Sequence, residues 1–357
     1  MTTVYLIRHA EAEGNLYRIA QGQHDSNLTD RGWRQVRALE RRFAAVHIDA
    51  VYASDLYRTR ATASAIYRPK GLPLHLRRDL REIYVGGWEQ RTWGDIARST
   101  PEAMADFGRR MDRWSIPGAE TPAQVLERIR SAVEDIVREN PGRTVAVFSH
   151  GYAIRLLLAN LQGFSLRDTG EKSPTGDNTA VSLLEGDGDG LRVVFMNDSG
   201  HLKTPEYLAG ETSVRRAYAL EPGLWFRPLG EEEARERLAA AWMEAGGSGP
   251  FPAASLTLEG LLEEEPAGLL RMDPETGRVL LVHIRPEFRR RGFGIQLIGQ
   301  AVQHTRARGG EELSAVLPPE SSARAFFLDC GFAPRETPEG REALVKFIGF
   351  DPDIGRP

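Results

Sequence analysis

Two strand-like runs in this chain end in histidine: VYLIRHA closes on Arg8-His9, and VAVFSHG closes on Ser149-His150-Gly151. A third run, AVYAS, ends in Ser54 with Arg58 close behind, and LREIYVGGWE brings Arg81 and Glu82. In an open α/β sheet the carboxyl ends of the strands frame the ligand crevice. Strand ends of this composition bring arginines, two histidines and a carboxylate towards one pocket. Arginine clamps phosphate bidentately, and histidine can attack phosphorus as a nucleophile. A nearby glutamate can protonate the leaving oxygen, a contribution of typically about 10²–10⁴-fold. With guanidinium groups to neutralise the phosphoryl charge, the chemistry calls for no metal. One histidine after a strand is ordinary; two at matching positions, with arginines at three strand ends, point to phosphoryl transfer. His24, His47, His75, His201, His283 and His304 lack that setting and read as surface or structural residues.

The elements that must hold these side chains alternate along the first two-thirds of the chain. VYLI, DAVYAS and TVAVFS read as strands, two of them continuous apolar runs. TDRGWRQVRALERRFAAV, LYRTRATASAIY and TPAQVLERIRSAVEDIVREN have helical spacing. Thr29 or Asp30 suits an N-cap, and Thr121 with Gln124 makes a capping-box pattern. The alternation predicts a largely parallel sheet covered by helices. At 357 residues the chain is long enough for two domains. Its composition, 41% hydrophobic and 27% charged with a formal charge of −4, is that of a soluble globular protein without a global pull towards nucleic acid or anionic membrane. Only four lysines occur among 46 basic residues, so a single arginine is a weak signal. The lone Cys330 excludes an intrachain disulfide and a cysteine-based zinc site. The sequence shows neither a signal-peptide plan nor a membrane-length apolar run, so the expected location is the cytoplasm.

The alternation breaks near residue 205, and a second series begins at LWFRPL. It continues through the helical EEEARERLAAAWMEA, then AGLLRMD, the strand RVLLVHI, a helix IQLIGQAVQHTRAR, the strand LSAVL, the helix SARAFFLDC and the strand ALVKFI. Between RVLLVHI and its helix lies the turn RPEFRRRGFG. Glycines there let backbone N–H groups approach a phosphate, and a helix N-terminus favours negative charge. Gly292-x-Gly294 runs on to Leu297, so the dinucleotide fingerprint is absent; no Gly-Lys-Ser/Thr follows, so it is not a P-loop. The turn alone suggests a pyrophosphate site.

Residues 1–205 resemble the histidine phosphatase superfamily, the phosphoglycerate mutase-like fold. RHA at 8–10 stands for the family's Arg-His-Gly, with Ala10 in place of glycine; Asn15, QGQHDSNLTDRGWRQ, YASDLYRTRATA, LREIYVGGWE, GAET, VFSHG and DNTAVSLLE follow in the family's order. The resemblance implies His9 as nucleophile, Arg8, Arg58 and His150 on the phosphoryl oxygens with Asn15 assisting, and Glu82 as proton donor to the leaving group. Arg81 is read as structural. The spacing of 68 residues between Glu82 and His150 (150 − 82) is similar to the phosphatase branch, whose members lack the extra sequence of the mutases. Tyr84, Trp88 and Trp93 either line the substrate pocket or pack the core.

Residues 222–350 resemble the GNAT acyltransferases through IRPEFRRRGFG and FFLDCGF. This resemblance implies acetyl-CoA as cofactor, its pyrophosphate on the backbone of residues 291–296 and its pantetheine arm beside the strand ending at Ile284. The implied site is Ile284, Arg289, Arg291, Gly292, Phe293 and Gly294. Phe327 stands where many members carry an acidic tyrosine, and Glu320 replaces an asparagine. The expectation is therefore a three-layer phosphatase domain at 1–208 with a mostly parallel sheet, a linker at 209–221, a GNAT-like α/β domain with a mixed sheet at 222–350, and a tail at 351–357. Expected ligands are a small phosphorylated metabolite and acetyl-CoA, with neither nucleic acid nor membrane. The alternatives are a phosphatase with a non-catalytic CoA-binding or interaction module, and a phosphoglycerate-type mutase.

Overall fold

The computed structural model describes residues 1–187, 190–210, 223–244, 256–317, 321, 323–337, 340 and 342–354. The first unit runs β1 (Thr2–Arg8), α1 (Glu13–Tyr17), α2 (Asp30–Phe43), β2 (Ala50–Ser54), α3 (Tyr57–Lys70), β3 (Leu74–Arg77), α4 (Trp93–Ser99), α5 (Pro101–Arg109), α6 (Pro122–Glu139), β4 (Thr144–Ser149), α7 (Gly151–Leu161), α8 (Leu166–Lys172), β5 (Val181–Asp187), β6 (Gly190–Asp198) and α9 (Pro205–Leu208). Its sheet has the order β3-β2-β4-β1-β5-β6, with the first four strands parallel and the last two antiparallel. The apolar runs become the central strands because both faces are covered. Val4, Leu6, Val145 and Val147 pack under α6 and α7, while Ile7, Val51, Ala53 and Phe148 pack under α2 and α3. Thr29 caps α2 by accepting the Gly32 N–H, and Thr121 and Gln124 form the capping box of α6.

One register matters most. β1 and β4 pair from Thr3–Thr144 to Arg8–Ser149, so the next residue of each strand, His9 and His150, emerges side by side. A slip of one residue would separate them and invert both buried faces.

The second unit runs β7 (Trp225–Pro228), α10 (Glu231–Glu244), β8 (Leu256–Leu262), β9 (Glu265–Asp273), β10 (Arg278–Ile284), α11 (Phe293–Arg306), β11 (Glu312–Ala315), α12 (Ala323–Asp329), β12 (Ala333–Glu336) and β13 (Glu342–Phe347). Its mixed sheet has the order β12-β13-β11-β10-β9-β8-β7. β10 and β11 run parallel and are registered at one residue pair, Arg278 with Ser314. The other pairings are antiparallel.

The two units share a core. Tyr17, the last residue of α1, and Ile19 just beyond it are buried with Leu270, Leu297 and Ile298 of the second unit. Gly299 sits on the Tyr17 ring, where a Cβ would come within 2.6 Å. Arg306 of α11 pairs with Glu13, and Asn27 Nδ2 donates to the carbonyl oxygens of Ile348 and Gly349. The C-terminal residues return to the first unit: Phe350 meets the Tyr57 ring edge-on, and Ile354 is buried in the α2–α3 cluster. The expected linker at 209–221 lies, from residue 211 onward, outside the described residues, as does Glu320. Among the described residues no helix is long and apolar enough to cross a membrane.

Candidate active site

His9 leaves β1 into a pocket of about 550 Å³. Its N–H donates to the Ser149 carbonyl at 3.0 Å, and its own carbonyl accepts from Asn178 Nδ2 at 2.9 Å. The ring Nδ1 lies 2.7 Å from the Ala10 carbonyl oxygen. A carbonyl only accepts, so Nδ1 carries the proton and Nε2 keeps its lone pair. Thr62 of α3 holds Ala10 in turn by accepting its N–H at 2.8 Å. Burial, then the charges of Arg58 and Arg8, push the His9 pKa well below its ordinary 6.5, which keeps the imidazole neutral and nucleophilic.

The His150 ring is 5.2 Å from the His9 ring, centroid to centroid. It is fully buried, and its Nε2 meets the Ser54 hydroxyl at 2.9 Å. Burial, then Arg58 and His9, lower its pKa well below 6.5 too. Arg58 is buried as well, and Arg8 is half-buried. Desolvation opposes their charge, and the Glu82 carboxylate supports it. Arg8 Nη1 donates to the Gly176 carbonyl at 2.6 Å; Arg58 spends Nη1 on His24 and Nη2 on Gly22. Arg8 Nε, Arg58 Nε and His150 Nδ1 are buried and have no protein partner. Unpaired buried polar groups are costly and rare, and three on residues of one crevice make a receptor for an anion. Gly151 makes room for it: a Cβ there would lie 3.0 Å from Arg8 Nε.

Glu82 reaches the same pocket from the loop after β3. Its Oε2 accepts the Tyr152 N–H and its Oε1 the Ala153 N–H, both at 3.0 Å, so the first turn of α7 fixes the carboxylate. That turn directly follows His150, and one backbone segment therefore positions both groups. Arg81 is not in the pocket lining; its guanidinium chelates Asp55 at 2.6 Å on both oxygens. Asn15 lines the pocket at an exposed position, and its Oδ1 accepts the Ala12 N–H at the start of α1. Of the three aromatics, only Trp93 lines the pocket; Trp88 is a core residue at 1% exposure and Tyr84 is 41% exposed. Sequence reasoning missed Ser54 as the partner of His150, Asn178 behind His9, and Tyr152, whose ring stacks on Phe107 at 4.6 Å. Ser54 stood at a strand end like the histidines and Asn178 lay in the quoted DNTAVSLLE, while Tyr152 carried no signal.

In the second unit Gly292 is the N-cap of α11 with φ +82°, and Arg290, two residues earlier, has φ +63°. Left-handed residues beside a helix start turn successive N–H groups to one side, the geometry of an anion-binding nest. Arg289 Nε donates to the carbonyl of Ile284 at 2.8 Å and so ties the turn to the end of β10. Arg291 lies over the Phe293 ring at 5.1 Å, and Phe293 is itself core. Gly294 faces Phe326, whose ring would be 2.8 Å from a Cβ. The turn, the glycines and the parting of β10 from β11 fit a pyrophosphate with an extended arm. Phe327 is 3% exposed and packed edge-on against Phe326 and Phe332. Phe327, which stands where many members carry a tyrosine, is a core residue here.

Comparison with known proteins agrees with both halves. The sequence model described as "Histidine phosphatase superfamily (branch 1)" matches residues 4–199, and the one described as "Acetyltransferase (GNAT) family" matches residues 217–332. Phosphoserine phosphatase 1 of Hydrogenobacter thermophilus is 30% identical over 166 residues, 46% of this chain and 79% of its own. "Probable phosphoglycerate mutase GpmB" of Photorhabdus laumondii is 32% identical over 163 residues, 46% of this chain and 76% of its own. Among solved structures, YhfR of Bacillus stearothermophilus aligns with a TM-score of 0.55 at 31% identity, over 57% of this chain and all of its own.

Proposed function

Since the chain belongs to the histidine phosphatase superfamily and carries a GNAT acetyltransferase domain behind it, we propose that its first half is a metal-independent phosphomonoesterase working through phosphohistidine. The observation that carries this reading is the pairing of a neutral His9, lone pair on Nε2, with three unpartnered buried donors on Arg8, Arg58 and His150. Those donors take the phosphoryl oxygens, with the imidazole proton of His150 at Nδ1 and the Ser54 hydroxyl donating to its Nε2. His9 Nε2 attacks phosphorus and the ester P–O bond breaks. Glu82 passes a proton to the departing oxygen. A water then attacks the phosphohistidine, giving its proton back to Glu82 and releasing inorganic phosphate and free His9. The arginines stabilise charge that grows on the phosphoryl oxygens, the kind of preorganised electrostatics that removes several kcal/mol from a barrier.

The short connection between Glu82 and His150 supports transfer to water over transfer to a second hydroxyl. Relatives named as phosphoserine phosphatase and as phosphoglycerate mutase both exist, so the acceptor decides between them. With a phosphomonoester in the presence of chelator, phosphate should appear at the rate at which ester disappears. Phosphoglycerate isomerisation faster than phosphate release would assign a mutase, and a strict need for Mg²⁺ would contradict the metal-independent mechanism.

For the second half we infer an acyl-CoA site at residues 291–296, with the pantetheine arm beside Ile284. Bound there, the thioester would supply an acyl group for transfer to an amine. The chain's contribution is the row of N–H donors that opens α11 and the gap between β10 and β11.

A further inference from the structure

Five arginines and two glutamates line the phosphatase pocket. Four of the five are committed. Arg8 and Arg58 hold the phosphoryl site. Arg31 pairs with Glu11 at 2.9 Å, and Arg155 donates to the carbonyl oxygens of Thr169, Gly170 and Ser173. Arg18 is left. Among the described residues it has no acidic partner and donates no hydrogen bond, and its Nε is buried without a partner. Desolvation lowers its pKa, and no carboxylate opposes the effect.

Its position is fixed all the same. Arg18 closes α1 in the left-handed conformation, φ +59°, an unusual state for a non-glycine residue that neighbouring structure must hold. The Trp93 N–H bonds its carbonyl at 2.9 Å, and Ile19 bridges Thr92 beside it. Gly223, at the start of the second unit, leaves room for the aliphatic stem: a Cβ there would lie 3.3 Å from Arg18 Cβ. A guanidinium held partly out of water with no counter-charge is destabilising until an anion arrives.

We propose that Arg18 is a specificity-determining residue, the receptor for a second anionic group on the alcohol part of the phosphomonoester. This rests on the phosphatase reading above and names its substrate class: small phosphate esters whose leaving group carries a carboxylate or a further phosphate. Arginine pairs with either bidentately.

The test compares matched ligands on the full chain. Glycerol 3-phosphate and 3-phosphoglycerate differ by a hydroxymethyl against a carboxylate; fructose 6-phosphate and fructose 1,6-bisphosphate differ by the second phosphate. Each is measured as a substrate, as a competitor of p-nitrophenyl phosphate hydrolysis, and by calorimetry. The wild type should favour the doubly anionic member of at least one pair by about 10–100-fold, the range of one charge-assisted bond to a desolvated guanidinium; whichever pair shows it identifies the anion. Arg18→Ala should collapse that ratio towards one, and Arg18→Lys should keep part of it. A wild type that does not separate either pair, or an Arg18→Ala variant that weakens both members equally, overturns the proposal. Absence of any phosphomonoester turnover would instead contradict the phosphatase reading, and the calorimetric ratios would still score Arg18.

Discussion

Removing the guanidinium of Arg306 should loosen the phosphatase half although the residue belongs to the other domain. Arg306 donates to Glu13 at 2.9 and 3.2 Å and to the Ile348 carbonyl, and it lies over the Phe350 ring at 5.0 Å. The Glu13 side chain is only 8% exposed, that of Arg306 20%. Truncating one partner of such a pair strands a buried charge, at about 3–5 kcal/mol. The Asn27 N–H still donates to Glu13 Oε2 at 3.1 Å, which favours the lower end. The lost cation–π contact adds back about 0.5–1 kcal/mol. Arg306→Ala should therefore destabilise the protein by about 3–4 kcal/mol in urea unfolding followed by tryptophan fluorescence. Glu264→Ala provides the contrast: its pair with Arg98 also joins the two units but is 75% and 45% exposed, and its loss should cost little. Because Gly14, Asn15 and Leu16 of the same short helix line the pocket, KM for a phosphomonoester should rise with the loss of stability. A cost below about 1 kcal/mol, or one no larger than that of Glu264→Ala, would refute the view that the pair clamps the units together.

Acid should unfold the protein early. His201 bonds Thr179 and Arg42, and its pKa is pushed down to about 4, chiefly by burial and then by Arg42. A histidine with a depressed folded pKa takes up protons only on unfolding, so stability falls as pH drops from about 6.5 through about 4, and His201→Gln should flatten that slope in pH-dependent denaturation. Gly292→Glu should abolish binding of acetyl-CoA measured by calorimetry, since it puts a side chain and a negative charge into the turn and strains a φ of +82°. If the wild type binds no acetyl-CoA, the assignment of that turn fails. Phe327→Tyr should lower thermal stability and leave acyl transfer no faster, because it buries a hydroxyl in an aromatic cluster; faster transfer would show that the ring faces the cleft.

The strand ends were the most legible part of the chain. Apolar runs broken sharply by Arg-His and Ser-His leave few folds open, and the helices with caps at Thr29 and Thr121 formed where the pattern put them. What stayed hidden needed a partner distant in sequence. Glu82 is oriented by N–H groups 70 and 71 residues away. Tyr17 and Ile19 look like loop residues until α11 covers them. Trp88 and Trp93 are five positions apart, yet one is core and the other lines the pocket. Strand β8 escaped because the alternation of LTLEGLL breaks at Gly260 and Thr257 is its one β-branched residue.

The central claim, that His9 carries the phosphoryl group, is tested most directly by trapping. The full-length enzyme, quenched in alkali during turnover of a ³²P-labelled phosphomonoester, should carry acid-labile label, and peptide mapping should place that label on His9. His9→Ala should carry none and turn over no ester. Label on another residue, or full activity in His9→Ala, would contradict the account.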